Sequence, residues 1–339
     1  TVMGIGCMDR DDPYNIGPIG GLGVGSANSL SKDTDLAIAV GTKLGDFTTG
    51  SWTNFQNPDF KLVSINAARF DVTKHQATPV VSDAKIGLNE ISKSLGDWKA
   101  PGHWYQRAVK EAKEWDQYVE KQSGPTNQEL PSYAQAIGAV YRNADPSDIV
   151  VTAAGGLVGE VVQVWKPKQI NTFETEWGFS CMGYEISGAL GIKMAKPEQD
   201  VIVFVGDGSY LLNNSDIYSS VIYEKKLIII VCDNSGHMVI NRLQLAKGGK
   251  EYLSNLKAAR ATNFVEVDFA THAASMGAET ETVTSTSELE GAFLRAKKSK
   301  KTYVIALKTH GYEWLEGTAF WESPTLEVYS TEENKKAYE

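Results

Sequence analysis

Short stretches built on uninterrupted apolar residues punctuate the second half of the chain: Asp148–Thr152 (DIVVT), Val201–Val205 (VIVFV), Leu227–Cys232 (LIIIVC) and Thr302–Leu307 (TYVIAL). A strand with one wet face alternates apolar and polar residues, whereas a strand covered on both faces does not. These stretches therefore predict strands of a sheet held between two layers of helix. Helical spacing occupies the intervals, at Ser132–Asn143, Cys181–Ala195, Asn214–Glu224, Phe269–Met276 and Ser287–Lys297. The first half repeats the pattern at Asp35–Val40 (DLAIAV), Lys61–Asn66 (KLVSIN) and Val80–Asp83 (VVSD), the last leading into a helix through Leu95. Strands alternating with helices predict an α/β fold with doubly wound parallel sheets. A charged helix over Trp104–Gln122 and the polar, proline-containing Ser123–Pro131 separate the halves.

In such sheets ligands bind just beyond the carboxyl ends of the strands. Asp207 and Asn234 stand at two of those ends. Gly206 and Gly208 flank the aspartate, where the absence of a Cβ lets a ligand approach the backbone. Ser209 can open the next helix and offer its hydroxyl and N–H to an anion. Gly236 occupies a turn from which a backbone carbonyl can point inward. A carboxylate, an amide oxygen and a carbonyl are three hard donors, and Mg²⁺ takes the rest of its octahedron from water and phosphate. Asp207, Asn234 and Gly236 are thus candidate metal ligands for a Mg²⁺–diphosphate site. Either residue alone is explained as a helix cap; the spaced pair favours the metal. There is no GxxxxGK[ST] loop.

Charge bears on partners. The 33 basic and 42 acidic side chains leave a net charge of −9, which argues against nucleic acid and anionic membranes but not against an anion held by backbone and metal. The longest apolar runs are too short to span a bilayer. Cys7, Cys181 and Cys232 form no CxxC pair, so neither a disulfide framework nor a thiolate metal site is expected, and a reducing, cytoplasmic compartment is. Cys181 and Cys232 sit in apolar contexts and read as small core residues. The KKSKK run at Lys297–Lys301 reads as a solvated helix end.

GDG at Gly206–Gly208, followed 27 residues after Asp207 by Asn234, resembles the motif of thiamine-diphosphate enzymes. That motif ends in two asparagines; the first is Asp233 here, while the ligand position keeps its Asn. The resemblance implies a cofactor, thiamine diphosphate with Mg²⁺, and a set of contacts. Gly155, Gly156 and Leu157 would form a second diphosphate loop. The Ser180 carbonyl would accept from the aminopyrimidine, and Met182 would wedge under the bent cofactor. Gly208, Ser209, Gly236, His237 and Met238 would complete the binding loops. Gly20–Gly50 resembles the later part of the central domain of acetolactate-synthase-type enzymes. Glu176–Ala195, Val205–Leu212, Asp233–Gln244 and His310–Glu322 resemble the hydrolases that open a trihydroxycyclohexanedione ring in myo-inositol catabolism.

The organisation so implied is a partial central Rossmann-like domain over residues 1–98, a helical linker over 99–130, a cofactor domain over 131–309 and a C-terminal extension from 310. The substrate would be a cyclic polyol-derived diketone, cleaved at a C–C bond. Homodimers or homotetramers are expected, because the family builds its sites between domains of two chains. Nothing here matches the family's N-terminal pyrimidine-binding domain with its activating glutamate, so a longer chain or another subunit is expected to supply it, and this chain alone to be inactive; its catalytic residues are unknown. The alternatives are a carboligase or 2-oxoacid decarboxylase on the same cofactor, a non-catalytic module on the same fold, and a nicotinamide enzyme. The last would use Gly21, Gly23 and Gly25, but no strand precedes them as a dinucleotide fold requires. His75, His103, His272 and His310 read as surface or satisfied histidines, and Trp314 and Trp321 as core or lid.

Overall fold

The computed structural model describes residues 1–259, 263–322 and 331–338. The chain forms two compact units. One comprises Thr1–Val2, Asp12–Gln117 and Glu316–Glu322, the other Met3–Asp11, Tyr118–Leu315 and Ser323–Glu339.

The first unit holds a parallel sheet of β1 (Leu36–Val40), β2 (Lys61–Asn66) and β3 (Thr78–Val81), in that spatial order. Helix α1 (Gly25–Asp33) precedes β1 and α2 (Ala84–Leu95) follows β3. The Asp83 carboxylate caps α2 by accepting from the N–H groups of Lys85 and Ile86. Gly87 lets the helix settle on the sheet, since a Cβ there would stand 2.8 Å from Cγ2 of the fully buried Ile65. The glycines of 20–25 make a tight turn, with Gly21 N–H donating to the Phe47 carbonyl. Helix α3 (Gly102–Gln122) closes the unit's main segment at Gln117.

In the second unit six parallel strands run in the order β5-β4-β6-β7-β9-β8: β4 (Ile149–Thr152), β5 (Phe173–Thr175), β6 (Val201–Gly206), β7 (Ile228–Asp233), β8 (Glu279–Val283) and β9 (Tyr303–Lys308). Strands β4, β6 and β7 lie in the middle with Ile149, Val203, Phe204, Ile229 and Val231 shut off from solvent. Each fully buried side chain of this size contributes about 1.5–3 kcal/mol, so these strands anchor the unit. The edge strands β5 and β8 escape the apolar pattern because each carries a single apolar residue, Phe173 in FET and Val283 in ETETV. No described helix is long and apolar enough to cross a membrane.

Helices α4 (Tyr133–Tyr141), α5 (Gly155–Val164), α6 (Tyr184–Ala195), α7 (Asp207–Leu212), α8 (Asp216–Ile222), α9 (Met238–Ala246), α10 (Phe269–Ser275) and α11 (Thr286–Lys298) connect these strands. A reciprocal capping box, Ser132 with Gln135, fixes the start of α4. Three sequence expectations are corrected. Helix α6 begins at Tyr184, not Cys181, because Gly183 adopts φ +95° and would bring a Cβ to 2.5 Å from Asn213 Cβ. Cys181 is accordingly exposed rather than core, whereas Cys232 is fully buried. Lys297 is no solvated helix end: its Nζ lies 2.6 Å from buried Asp148 and 2.7 Å from Asp145.

Strand order fixes where a ligand can sit. From β4 the chain passes outward to β5, then returns across β4 to β6 on its other side. The crevice between the carboxyl ends of β4 and β6 is therefore the point at which the winding reverses, the ligand position of open α/β sheets.

Candidate functional site

Strands β4, β6 and β7 are neighbours, and their carboxyl ends carry Gly155–Gly156, Asp207 and Asn234. The pairing of Gly206 with Cys232 sets Asp207 beside Asp233, one residue before Asn234. Asp207 is 5% exposed, and its Oδ2 accepts from Gly236 N–H at 2.8 Å. Burial, then the neighbouring charge of Asp233, pushes its carboxyl up to about 7, against the N–H groups of Gly236 and Gly208. Asp233 is shared: its side chain hydrogen-bonds that of Asp207, while Oδ1 accepts from Ser235 N–H at 2.8 Å and Oδ2 meets Lys308 Nζ at 2.7 Å.

Asn234 Nδ2 donates to the Tyr133 hydroxyl at 2.7 Å, and Oδ1 is enclosed without a partner. The chain then turns sharply through Ser235 (φ +63°) and Gly236 (φ +150°). Only glycine fits the second position, because a Cβ would lie 2.4 Å from the Ser254 carbonyl oxygen. This turn returns Gly236 N–H to Asp207. The expectation for Gly236 concerned its carbonyl; the contact the structure shows is made by its N–H.

Around this pair the other expected residues assemble unequally. A Cβ on Gly208 would meet His237 Cε1 at 2.6 Å and Met182 Cε at 3.2 Å, so these three converge. Ser180 adopts φ +53° and its hydroxyl donates to the Ala153 carbonyl at 3.3 Å, tying its loop to the end of β4. Gly155 and Gly156 begin a helix rather than lying in a loop; Gly155 takes φ +77° and faces open space. Leu157 and Met238 bury their side chains in packing, Met238 against Gly311. The Ser209 hydroxyl, expected to be available to an anion, is hydrogen-bonded to Glu185.

Glu185 is a residue that sequence reasoning passed over. It is 1% exposed and accepts from Ala154 N–H at 3.2 Å, Gly183 N–H at 2.8 Å and the Ser209 side chain. One carboxylate thus fastens the loops after β4, before α6 and after β6. Burial raises its pKa despite these donors. Its signal in the sequence is a lone acid directly before the uncharged run ISGALG.

The segment after β9, whose Trp314 the sequence reads as core or lid, also reaches the site. Thr309 N–H donates to the Asp233 carbonyl and His310 N–H to the Pro131 carbonyl. Trp314 then lies against Gly156, where a Cβ would stand 2.1 Å from a ring carbon. The same indole meets Tyr133 edge-on, 5.8 Å between centroids, and the Arg242 guanidinium at 5.4 Å. Leu315 N–H donates to buried Glu160 at 2.9 Å.

These donors suit a small hard cation. A buried amide oxygen left unpaired costs about 1–3 kcal/mol, and a cation beside Asp207 would relieve it. Among the described residues no group of three His, Cys, Asp or Glu gathers, so a thiolate- or imidazole-rich metal site has no donors here. The open space at Gly155 leaves room for a phosphate against the backbone, while at Gly208 the side chains of His237 and Met182 close in.

Reversal of the sheet's winding beside an acid–amide pair is the arrangement of thiamine pyrophosphate enzymes, and the chain belongs to that family. Residues 1–91 match the family's central domain and residues 153–307 its C-terminal TPP binding domain. Over its whole length the chain is 34% identical to the 3D-(3,5/4)-trihydroxycyclohexane-1,2-dione hydrolase of Geobacillus thermodenitrificans, and 33% identical to those of Bacillus anthracis and Lacticaseibacillus casei. It spans 57%, 58% and 56% of those relatives, so somewhat over half of each.

Proposed function

We propose that this chain is the cofactor-holding part of a thiamine-diphosphate-dependent hydrolase that opens a cyclic 1,2-diketone at a C–C bond. Thiamine diphosphate, when bound, supplies a nucleophilic carbon and an electron sink for breaking a bond beside a carbonyl. The chain's own residues bind and orient. Asp207 and the Asn234 amide oxygen hold Mg²⁺, with the turn at Gly236 adding a backbone donor. Gly155 admits the diphosphate, and Gly208, Met182 and His237 border it. The buried strands beneath keep water from the cation's protein side. The observation that carries the reading is the unpartnered Asn234 oxygen next to a buried carboxylate on adjacent strand ends. The names of relatives matched over the full chain support the choice of substrate and its place in myo-inositol catabolism.

Calorimetry on the 339-residue chain tests the site. Thiamine diphosphate is expected to bind only with Mg²⁺, and Asp207→Ala to abolish that uptake; Mg²⁺-independent binding refutes the assignment. The reaction is tested with trihydroxycyclohexanedione. Consumption is expected once a domain carrying the activating acid is supplied, and none from this chain alone. Release of CO₂ from pyruvate, with the diketone untouched, would instead identify a decarboxylase or carboligase.

A further inference from the structure

An amide presents an oxygen at one end and an NH₂ at the other, and only the oxygen can ligate a cation. Something must therefore fix which end of Asn234 faces which way. The structure supplies one group for this: the hydroxyl of Tyr133, which accepts from Nδ2 at 2.7 Å and leaves Oδ1 unpartnered. Tyr133 lies 101 residues away on α4, is 5% exposed, and falls outside the 153–307 family match. Its ring is held in turn. Trp314 packs on it edge-on, and His310 N–H bonds Pro131, two residues before it. Leu315 N–H, bonded to Glu160, ties down the backbone next to Trp314.

Resting on the cation reading above, we infer that Tyr133 is a positioning residue: it takes up the NH₂ of Asn234 and thereby commits the amide oxygen to the metal. Without that hydroxyl the NH₂ has no acceptor drawing it away from the ion, and the cation itself must orient the amide. Partners of this outer kind typically contribute about 10- to 100-fold to metal affinity.

The test is Mn²⁺ binding to the 339-residue chain with thiamine diphosphate, read as free Mn²⁺ by electron paramagnetic resonance, so that no turnover is required. Tyr133→Phe keeps the ring against Trp314 and removes only the hydroxyl. It is expected to weaken Mn²⁺ about tenfold. In the Asn234→Asp background, where both ends are oxygen, the same change is expected to cost less than about twofold. Should the phenylalanine variant melt early, both chains are titrated below its unfolding onset, read by circular dichroism, so that the comparison is between folded proteins. An unchanged affinity in Tyr133→Phe overturns the inference, as does an equal loss in both backgrounds, which marks a purely structural role. No Mn²⁺ uptake by the unsubstituted chain would sink the cation reading itself and this inference with it.

Discussion

Glu160 offers a measurable link between the segment after β9 and the rest of the unit. It is 4% exposed on α5 and accepts the N–H of Leu315. Burial pushes its carboxyl from 4.5 up to about 7, against that N–H and the charge of Arg242. Below pH 4.5 the folded and unfolded chains both hold the proton, and the stability linked to it is fully present. Between there and pH 7 the unfolded chain releases the proton while the folded one keeps it, so stability falls as pH rises. At about 1.4 kcal/mol per pH unit the window amounts to about 3 kcal/mol. Glu160→Gln keeps an acceptor for Leu315 and cannot ionise, so its curve lacks this slope. Asp207, also raised to about 7, adds a similar slope to both proteins and cancels in the comparison. Hydrogen exchange of β6 and β7 amides reads the opening free energy of the unit, once corrected for intrinsic rates. The advantage of the native chain over the variant should shrink by about 3 kcal/mol between pH 4.5 and 7.5. A difference constant to about 0.5 kcal/mol across that range would refute the assignment of a buried neutral acid at 160.

Gly156→Ala places a methyl 2.1 Å from the Trp314 ring and should destabilise by about 1–3 kcal/mol in urea titrations, with Trp314→Leu restoring most of it; an additive double variant refutes the contact. Asp233→Asn keeps the acceptor for Ser235 N–H and removes a charge that is already paired, so Mn²⁺ affinity should change less than about threefold, whereas a tenfold loss would make Asp233 itself a ligand.

Legibility in the sequence followed burial. Strands β4, β6, β7 and β9 lie inside a double helical layer, and covering both faces removes the alternation that a one-sided strand shows. Their ends were therefore readable to within a residue or two, and with them Asp207 and Asn234. Edge strands have one solvated margin, and FET and ETETV each carry a single buried apolar residue, Phe173 and Val283, too little to register as a buried run. The residues that stabilise the site were harder to see because their partners are distant in sequence. Glu185 reaches Ala154 across 31 positions, Tyr133 reaches Asn234 across 101, and Glu160 reaches Leu315 across 155. Local pattern registers a residue's own element; it does not register which backbone donor the fold will bring to a buried carboxylate. Gly183 is the intermediate case, since a glycine before a small-residue helix is visible but its left-handed φ is fixed by Asn213.

The charge balance explains how the chain accommodates an aspartate at 233, where the motif it resembles has asparagine. Two carboxylates, Asp207 and Asp233, stand side by side at 5% and 6% exposure, an arrangement that by itself would repel and favour protonation. The register pairs Asp233 with Lys308 on β9, and the ammonium lies 2.7 Å from Oδ2. Lys308 thus neutralises the extra charge on the strand that introduces it, while Ser235 N–H holds the remaining oxygen in the turn. One ionisable oxygen donor, one amide and the adjoining backbone are left facing the crevice. For a dication that must also accept a polyanionic diphosphate, a weakly charged protein face is the suitable one, because each further carboxylate would compete with the phosphate for the same ion. On the cation reading, the aspartate at 233 is accommodated because Ser235 and Lys308 hold its oxygens, and the asparagine at 234 keeps its oxygen unpartnered because the Tyr133 hydroxyl takes its NH₂.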